Sequence, residues 1–358
     1  MSRPDLDLRV RDLTLPFRLV DAGEAPGPAL AAEFDAAWPS YRAWLLREGE
    51  AARPTFAQSR DAVRRHLPEL ADDYDRAVAA VGGGDLEARL LANWCPPPLV
   101  GACSIAMLAA PAPLLVRNYD YPPLLCDMLV LRTRWSGRVV LGMADLGLGL
   151  LDGVNDAGLV AAIAFGGRRE VGEGFGIGIV VRAVLQSCAT VAEAAARLAA
   201  IPVQMSFNVA LLDAAGDHAV VRVAPDRPAE ATALAWCANR QGPTDWPEHA
   251  AYCDTVNRET VLEQLAAFPH ADRDEVTAPF LRQPLFRPLA SSTWGTVYTA
   301  AYDPAALDLT LLWPGDRWDL ALHAEDAGSR PREVLALLPD PKVERHDVAV
   351  TRRVDLIA

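Results

Sequence analysis

Apolar positions along the chain change period at one place. Between Pro28 and about Leu91 they recur at helical spacing: Ala31, Phe34, Ala37 and Trp38 share a face that Tyr41, Trp44 and Leu45 continue. The same spacing predicts helices over 55–65 and 67–81, the second stopped by Gly82-Gly83-Gly84, and a short one over 85–93. Residues 1–30 are polar and proline-punctuated, with a strand-like piece at 13–20. Pro96-Pro97-Pro98 closes the helical section and reads as a linker.

After Pro98 the pattern becomes one of short strands. Runs at 99–108 and 114–119 form an opening pair, and 129–135 and 138–144 form another, joined at Ser136-Gly137. Runs at 148–151 and 158–165 flank a turn-rich loop. Helices are expected over 177–188 and from Thr190, which can cap with Glu193, to Ala200. Strands resume at 206–212, 218–223 and 231–238, the last ending at Asn239. A helix over 254–268 and a hairpin of 293–302 with 307–312 complete the chain. Hairpin-joined strands with helices between blocks predict an antiparallel α+β fold, not a doubly wound parallel sheet. Two sheets with a helical layer outside each would use every element.

One hairpin brings chemistry together. If the Pro-Ala-Pro break at 111–113 is its turn, Cys103 lies opposite Tyr119 or Asp120, and a thiol, the Arg117 guanidinium and a carboxylate share one strand end. A cation near a thiol lowers its pKa, and the thiolate is the nucleophile. Of the six cysteines, only Cys103 has such a context. The others (Cys95, Cys126, Cys188, Cys237 and Cys253) form no CxxC pair, so neither a zinc site nor a thioredoxin-type motif is suggested. Free thiols fit a reducing, cytoplasmic compartment. No cofactor and no metal is expected.

Charge and hydropathy narrow the partners. A net charge of −13 argues against nucleic-acid binding and against docking on anionic membranes. The start, MSRPDLDLRV, has no secretory pattern. The apolar stretch 99–116 is broken by Pro111 and Pro113, so it reads as two buried strands and not a membrane span.

An activated nucleophile needs a base. None of the six histidines (His66, His218, His249, His270, His323 and His346) lies in a cysteine-adjacent signature. If the Ala102–Cys103 bond is cut, the freed α-amine, with an unperturbed pKa of about 7.7–8.0, can serve instead. Asp120 would hold that amine and Arg117 would bias the thiol toward thiolate. Asn239 is a candidate oxyanion donor, with a turn-forming role as its alternative. Asn155 reads as a turn residue, the glycine-rich run 172–178 as a flexible loop near the substrate, and Arg168-Arg169 as a solvated pair. HExxH, P-loop and GxSxG motifs are absent.

Taken in order, Gly101-Ala102-Cys103-Ser104-Ile105-Ala106, Arg117-Asn118-Tyr119-Asp120-Tyr121, Gly153-Val154-Asn155-Asp156-Ala157-Gly158-Leu159, Phe207-Asn208-Val209-Ala210-Leu211-Leu212-Asp213 and Cys237-Ala238-Asn239-Arg240 resemble a known family. This is the penicillin acyltransferase-like family of N-terminal-nucleophile (Ntn) cysteine hydrolases, the C45 peptidase group, related to choloylglycine hydrolases. The resemblance implies a four-layer αββα sandwich made as a zymogen. Residues 1–102 would be a helical pro-segment and 103–358 the catalytic domain, separated by autocatalytic cleavage.

Carried over, Cys103 is nucleophile and self-base, Arg117 and Asp120 support it, and Asn239 is the oxyanion donor. The implied chemistry is hydrolysis of a linear non-peptide amide, or acyl transfer to an amine, through an acyl-Cys103 intermediate. By analogy it also admits an acyl-coenzyme A donor. The processed chains would stay associated, and a homo-oligomer is compatible. Ala102 replaces the glycine common before the nucleophile, Ala164 stands where choloylglycine hydrolases have Asn, and Arg240 where the family often has His. Arg258 is a candidate for a further site arginine, with a structural role as its alternative. Two other readings stand beside this one: an unprocessed Cys–His hydrolase, and a non-catalytic binding protein that keeps the fold.

Overall fold

Strands that are apolar on both faces need a covering layer on each side. In the computed structural model, which describes residues 13–109, 112–267, 272–289, 294–324 and 332–336, those layers are two stacked sheets flanked by helices. In chain order the elements begin with β1 (Leu13–Asp21), α1 (Pro28–Leu45), α2 (Phe56–His66), α3 (Ala71–Ala80) and α4 (Asp85–Ala92). Then come β2 (Ala102–Leu108), β3 (Leu114–Tyr121), β4 (Leu129–Thr133), β5 (Val140–Asp145), β6 (Gly149–Asn155) and β7 (Val160–Phe165). Two helices, α5 (Ile177–Ser187) and α6 (Val191–Ala200), precede β8 (Phe207–Leu212), β9 (His218–Ala224), β10 (Arg227–Thr232) and β11 (Trp236–Cys237). The rest is α7 (Pro247–Tyr252), α8 (Thr255–Ala266), α9 (Arg273–Phe280), β12 (Gly295–Asp303), β13 (Asp308–Trp313), β14 (Asp316–Ala321) and β15 (Arg332–Ala336).

A nine-stranded sheet runs β10-β9-β8-β7-β6-β5-β4-β1-β15, and a six-stranded sheet runs β11-β2-β3-β12-β13-β14. Neighbours are antiparallel, except that β1 lies parallel to β4. Helices α5 and α6 pack on the larger sheet and α8 and α9 on the smaller, while β2 meets β7 and β8 between them. The chain is therefore a four-layer αββα sandwich.

The pleat of β2 and β3 shows how the layers sort. Cys103, Ile105, Met107, Leu115, Tyr119 and Tyr121 join the core between the sheets. Ala106, Leu108, Leu114 and Val116 join a second core with Leu262 of α8 and Phe280 of α9. Successive residues of one strand thus enter different cores, as a period of two requires.

Several expectations change. The strand-like piece expected at 13–20 is β1, but it is no part of a separate helical segment: it is an inner strand of the larger sheet, bonded to both β4 and β15. The triple proline is packed, not a free linker. Pro96 and Pro97 are buried, and the carbonyls of Cys95, Pro96 and Pro98 accept from Arg53, Gln204 and Arg47. The expected strand 231–238 is two strands, because the chain leaves the edge of one sheet at β10 and joins the other at β11. The run 172–178 is not loose: Phe175 is buried and bridges both Trp94 and Val203.

Thr190 caps α6 as expected, accepting from the Glu193 amide at 3.3 Å, while the Glu193 carboxylate accepts from Ala189 and not from Thr190 itself. The hairpin partners expected at 293 and beyond begin at Gly295; Thr293 lies outside the described residues.

Asn155 is more than a turn residue. Its amide donates to the carbonyls of Leu185 and Cys188 at 2.8 Å each, closing the end of α5, and its oxygen accepts from the amides of Ala157 and Leu159. Asn155→Ala leaves these buried groups unpaired and should lower the unfolding free energy by about 3 kcal/mol. Denaturant titration checks this; a loss within error contradicts it.

Candidate active site

Cys103 lies opposite Tyr119 and Ala102 opposite Asp120, the first of the two expected registers. The pleat then divides the expected trio. Arg117 is on the thiol's face, between the sheets, whereas Asp120 is on the other face, toward α8. Thiol, guanidinium and carboxylate share a strand end but not a side of the sheet.

On the thiol side, Arg117 is fully buried and its Nη2 donates to Cys103 Sγ at 3.4 Å. Its Nε donates to the Ile163 carbonyl at 3.1 Å and its Nη1 to Tyr298 Oη at 2.7 Å. Its carboxylate partner is Asp152 on β6, not Asp120. Tyr298 donates to Asp152 at 2.6 Å, and Tyr302 donates to its other oxygen. Burial pushes the Cys103 thiol up, and the pull of Arg117 offsets this only in part. The expected thiolate bias is therefore outweighed by desolvation.

On the other side, Arg258 of α8 organises the backbone. Its Nη1 donates to the Cys103 carbonyl at 2.6 Å and to Ser104 Oγ at 2.9 Å, and its Nη2 donates to Asn239 Oδ1 at 2.7 Å. Its Nε donates to the Cys253 carbonyl at 2.7 Å. Asp120 Oδ2 lies 3.6 Å from Arg258 and has no hydrogen-bond partner among the described residues, while Oδ1 accepts from Thr296 at 2.7 Å. Burial raises the Asp120 carboxyl, and Arg258 pulls it back only partly.

Asn239 follows β11 directly. Its Oδ1 accepts from the Cys103 amide at 3.0 Å as well as from Arg258, which fixes the amide's orientation, and its Nδ2 donates to the Phe165 carbonyl at 3.0 Å. Asn208 of β8 holds this segment by donating to the carbonyls of Ala238 and Arg240. Gly167 permits the approach: its φ is +70°, and a Cβ there would meet the Asn239 carbonyl oxygen at 2.3 Å.

The structure thus brings Cys103, Arg117 and Asn239 into contact, with Asp120 linked through Arg258. Sequence reasoning left Arg258 undecided and missed Asp152, Thr296 and Tyr298. The pattern carried one clue to the first: Thr255, Arg258, Glu259 and Leu262 form the buried stripe of α8, where an arginine needs partners. Arg168 is not solvated; it donates to Asp226 at 2.7 Å and to Asp245 at 3.0 Å. Arg240 pairs with Glu259. His249 Nε2 lies 3.3 Å from Cys253 Sγ, and burial lowers its pKa to about 4. Among the described residues no histidine hydrogen-bonds Cys103, and no helix is long and apolar enough to cross a membrane. His270 and His346 lie outside the described residues.

A sequence model of the family described as acyl-coenzyme A:6-aminopenicillanic acid acyl-transferase matches residues 109–318. That range starts after Cys103 and includes Arg117, Asp120, Asn239 and Arg258. No curated protein matches the chain in sequence. Among solved structures, a variant of conjugated bile acid hydrolase from Clostridium perfringens has 11% identity and a TM-score of 0.46, covering 68% of this chain and 100% of its own. Penicillin V acylase from Agrobacterium tumefaciens has 14% identity and a TM-score of 0.38, covering 59% and 82%. The Caenorhabditis elegans ortholog of N-acylethanolamine-hydrolyzing acid amidase has 15% identity and a TM-score of 0.42, covering 57% and 93%.

A carboxyl whose pKa rises on folding lends stability in acid and loses it as the pH climbs through its folded value. Ionised Asp120 therefore works against the fold near neutral pH. Asp120→Asn should leave the melting temperature at pH 7 unchanged or higher, because Arg258 keeps four other acceptors. Arg258→Met strands those acceptors and should cost about 3–5 kcal/mol. Calorimetry of both variants checks the contrast; the opposite order contradicts it.

Proposed function

The chain belongs to the acyl-coenzyme A:6-aminopenicillanic acid acyl-transferase family, and from that premise we propose that it is a self-processing cysteine amidohydrolase or acyltransferase acting through Cys103. One observation carries the reading: three side chains converge on this residue, Arg117 on its thiol, Asn239 on its amide and Arg258 on its carbonyl.

Processing starts when Cys103 Sγ attacks the Ala102 carbonyl carbon. The C–N bond breaks as the nitrogen takes up the thiol proton, and water hydrolyses the resulting thioester. The products are an Ala102 carboxylate and a Cys103 with a free α-amine and thiol. Residues 1–102 and 103–358 stay associated, because β1 remains bonded between β4 and β15.

In turnover the α-amine takes the thiol proton. Asp120, directly across from Ala102, holds the resulting ammonium. Scission frees the chain end at Ala102 to shift off Cys103 while β1 stays in the sheet, which removes part of the burial that raises the thiol, so Arg117 gains weight. The thiolate attacks the carbonyl of a linear, non-peptide amide, Asn239 Nδ2 donates to the oxyanion, and the amine leaves with the proton from the α-ammonium. Water or a second amine then releases the acyl group from Cys103. An acyl-coenzyme A thioester enters the same acyl-Cys103 intermediate.

The Cys–His reading finds no base among the described residues: His249 faces Cys253, and no described histidine hydrogen-bonds the Cys103 thiol. The purely binding reading gives the three contacts on Cys103 no task.

An activated p-nitrophenyl ester should leave an acyl adduct on Cys103 in peptide mapping after acid quench. Asn239→Ala should lower kcat by about 10²–10³-fold with a smaller change in KM. An adduct on another cysteine, or full kcat in Asn239→Ala, overturns the assignment.

A further inference from the structure

A cavity of about 140 Å³ lies between α1 and the loop after β3, lined by Tyr41, Trp44, Tyr121, Leu124, Asp127 and Asp145 among others. Three of these walls are aromatic and two are carboxylic. Leu124 is 75% exposed, so the cavity adjoins solvent on that side. On the other side Tyr121 stacks on Tyr119 with ring centres 5.3 Å apart, and Tyr119 faces Cys103 across β2 and β3. Leu99, shortly before the Ala102–Cys103 bond, also lines it.

The two carboxyls differ. Asp127 accepts from Tyr41, and Arg18, already paired with Glu33 at 2.6 Å, donates to its main-chain carbonyl. Asp145 is only 8% exposed and has no ion pair or side-chain hydrogen bond among the described residues; its near donor is the adjacent Leu146 amide. A buried carboxylate facing a cavity with no counter-ion is costly to keep ionised. Aromatic faces add attraction for a cation held among them.

We propose that this cavity binds a small organic ammonium ion, the amine partner of the acyl transfer, with Asp145 as its counter-ion and Trp44, Tyr41 and Tyr121 as its aromatic walls. The assignment of the ion as amine partner rests on Cys103 being the nucleophile. The volume admits an ammonium group carrying a compact apolar body, which sets the class of amine. Burial raises both carboxyls, so pairing with the cation costs Asp145 its proton, and Asp145 takes a proton back from the ammonium to free the amine for attack.

The test uses full-length Cys103→Ala protein, in which neither scission nor turnover intervenes. Calorimetric titration compares benzylammonium with benzyl alcohol, which has the same size and no charge. The cation should bind at least ~10-fold more tightly, about 1.4 kcal/mol. Adding Asp145→Asn should remove that preference and leave the alcohol's affinity unchanged. This variant neutralises an unpaired buried carboxylate, so its melting temperature should not fall. Should it nevertheless unfold, Trp44→Leu supplies the second probe and should weaken the cation more than the alcohol.

Equal binding of the two probes, no binding of benzylammonium, or an unchanged preference in the folded variants overturns the proposal. Wild-type protein that acylates at Cys103 while its Cys103→Ala form ignores benzylammonium removes this proposal alone. Cation binding by a chain that never acylates at Cys103 overturns the nucleophile reading and the amine-partner role with it.

Discussion

The site depends on one buried arginine on each side of a single strand. Arg117 comes from the neighbouring strand and meets the Cys103 thiol between the sheets. Arg258 comes from the outer helix layer and grips the Cys103 carbonyl and the Asn239 amide from the opposite face. Neither charge is tolerable in such a place without partners. Asp152 with its two tyrosines answers the first, and four neutral acceptors answer the second. Much of the surrounding architecture is the scaffold those partners require: β6 to carry Asp152, β12 to carry Tyr298 and Thr296, and β8 to hold the Asn239 segment through Asn208.

That arrangement leaves the thiol's pKa raised by burial. The segment before the strand start is packed, its carbonyls tied down by Arg47, Arg53 and Gln204. Desolvation there outweighs the nearby guanidinium. A guanidinium lowers a thiol pKa effectively only when the ion it stabilises also has access to solvent or donors. The same packing ties the N-terminal section in at two places, since β1 belongs to the larger sheet and the carbonyls of Cys95, Pro96 and Pro98 are held by side chains.

Local signals in the sequence located the hairpin, the helix caps and the change from helical to strand texture, because those follow from period, proline and turn chemistry. They placed Cys103 opposite Tyr119 or Asp120, of which the structure shows Tyr119, and brought Arg117 near the thiol. They did not separate Asp120 from the thiol's face, although parity along β3 contained that information. Arg258 stayed undecided and Asp152 out of reach for another reason. Their partners lie 155 and 35 residues away in the chain, and only the stacking of layers brings them together. The break between β10 and β11 was hidden likewise: both halves are strand-like, and which sheet each joins is a tertiary matter.

The central claim is that Cys103 becomes an N-terminus. Intact-mass analysis of the purified full-length protein tests it most directly. The account predicts two species, corresponding to residues 1–102 and 103–358, and a single unsplit species for Cys103→Ala. A wild-type chain that remains whole while turning over substrate, or a Cys103→Ala chain that still splits at that bond, would contradict it.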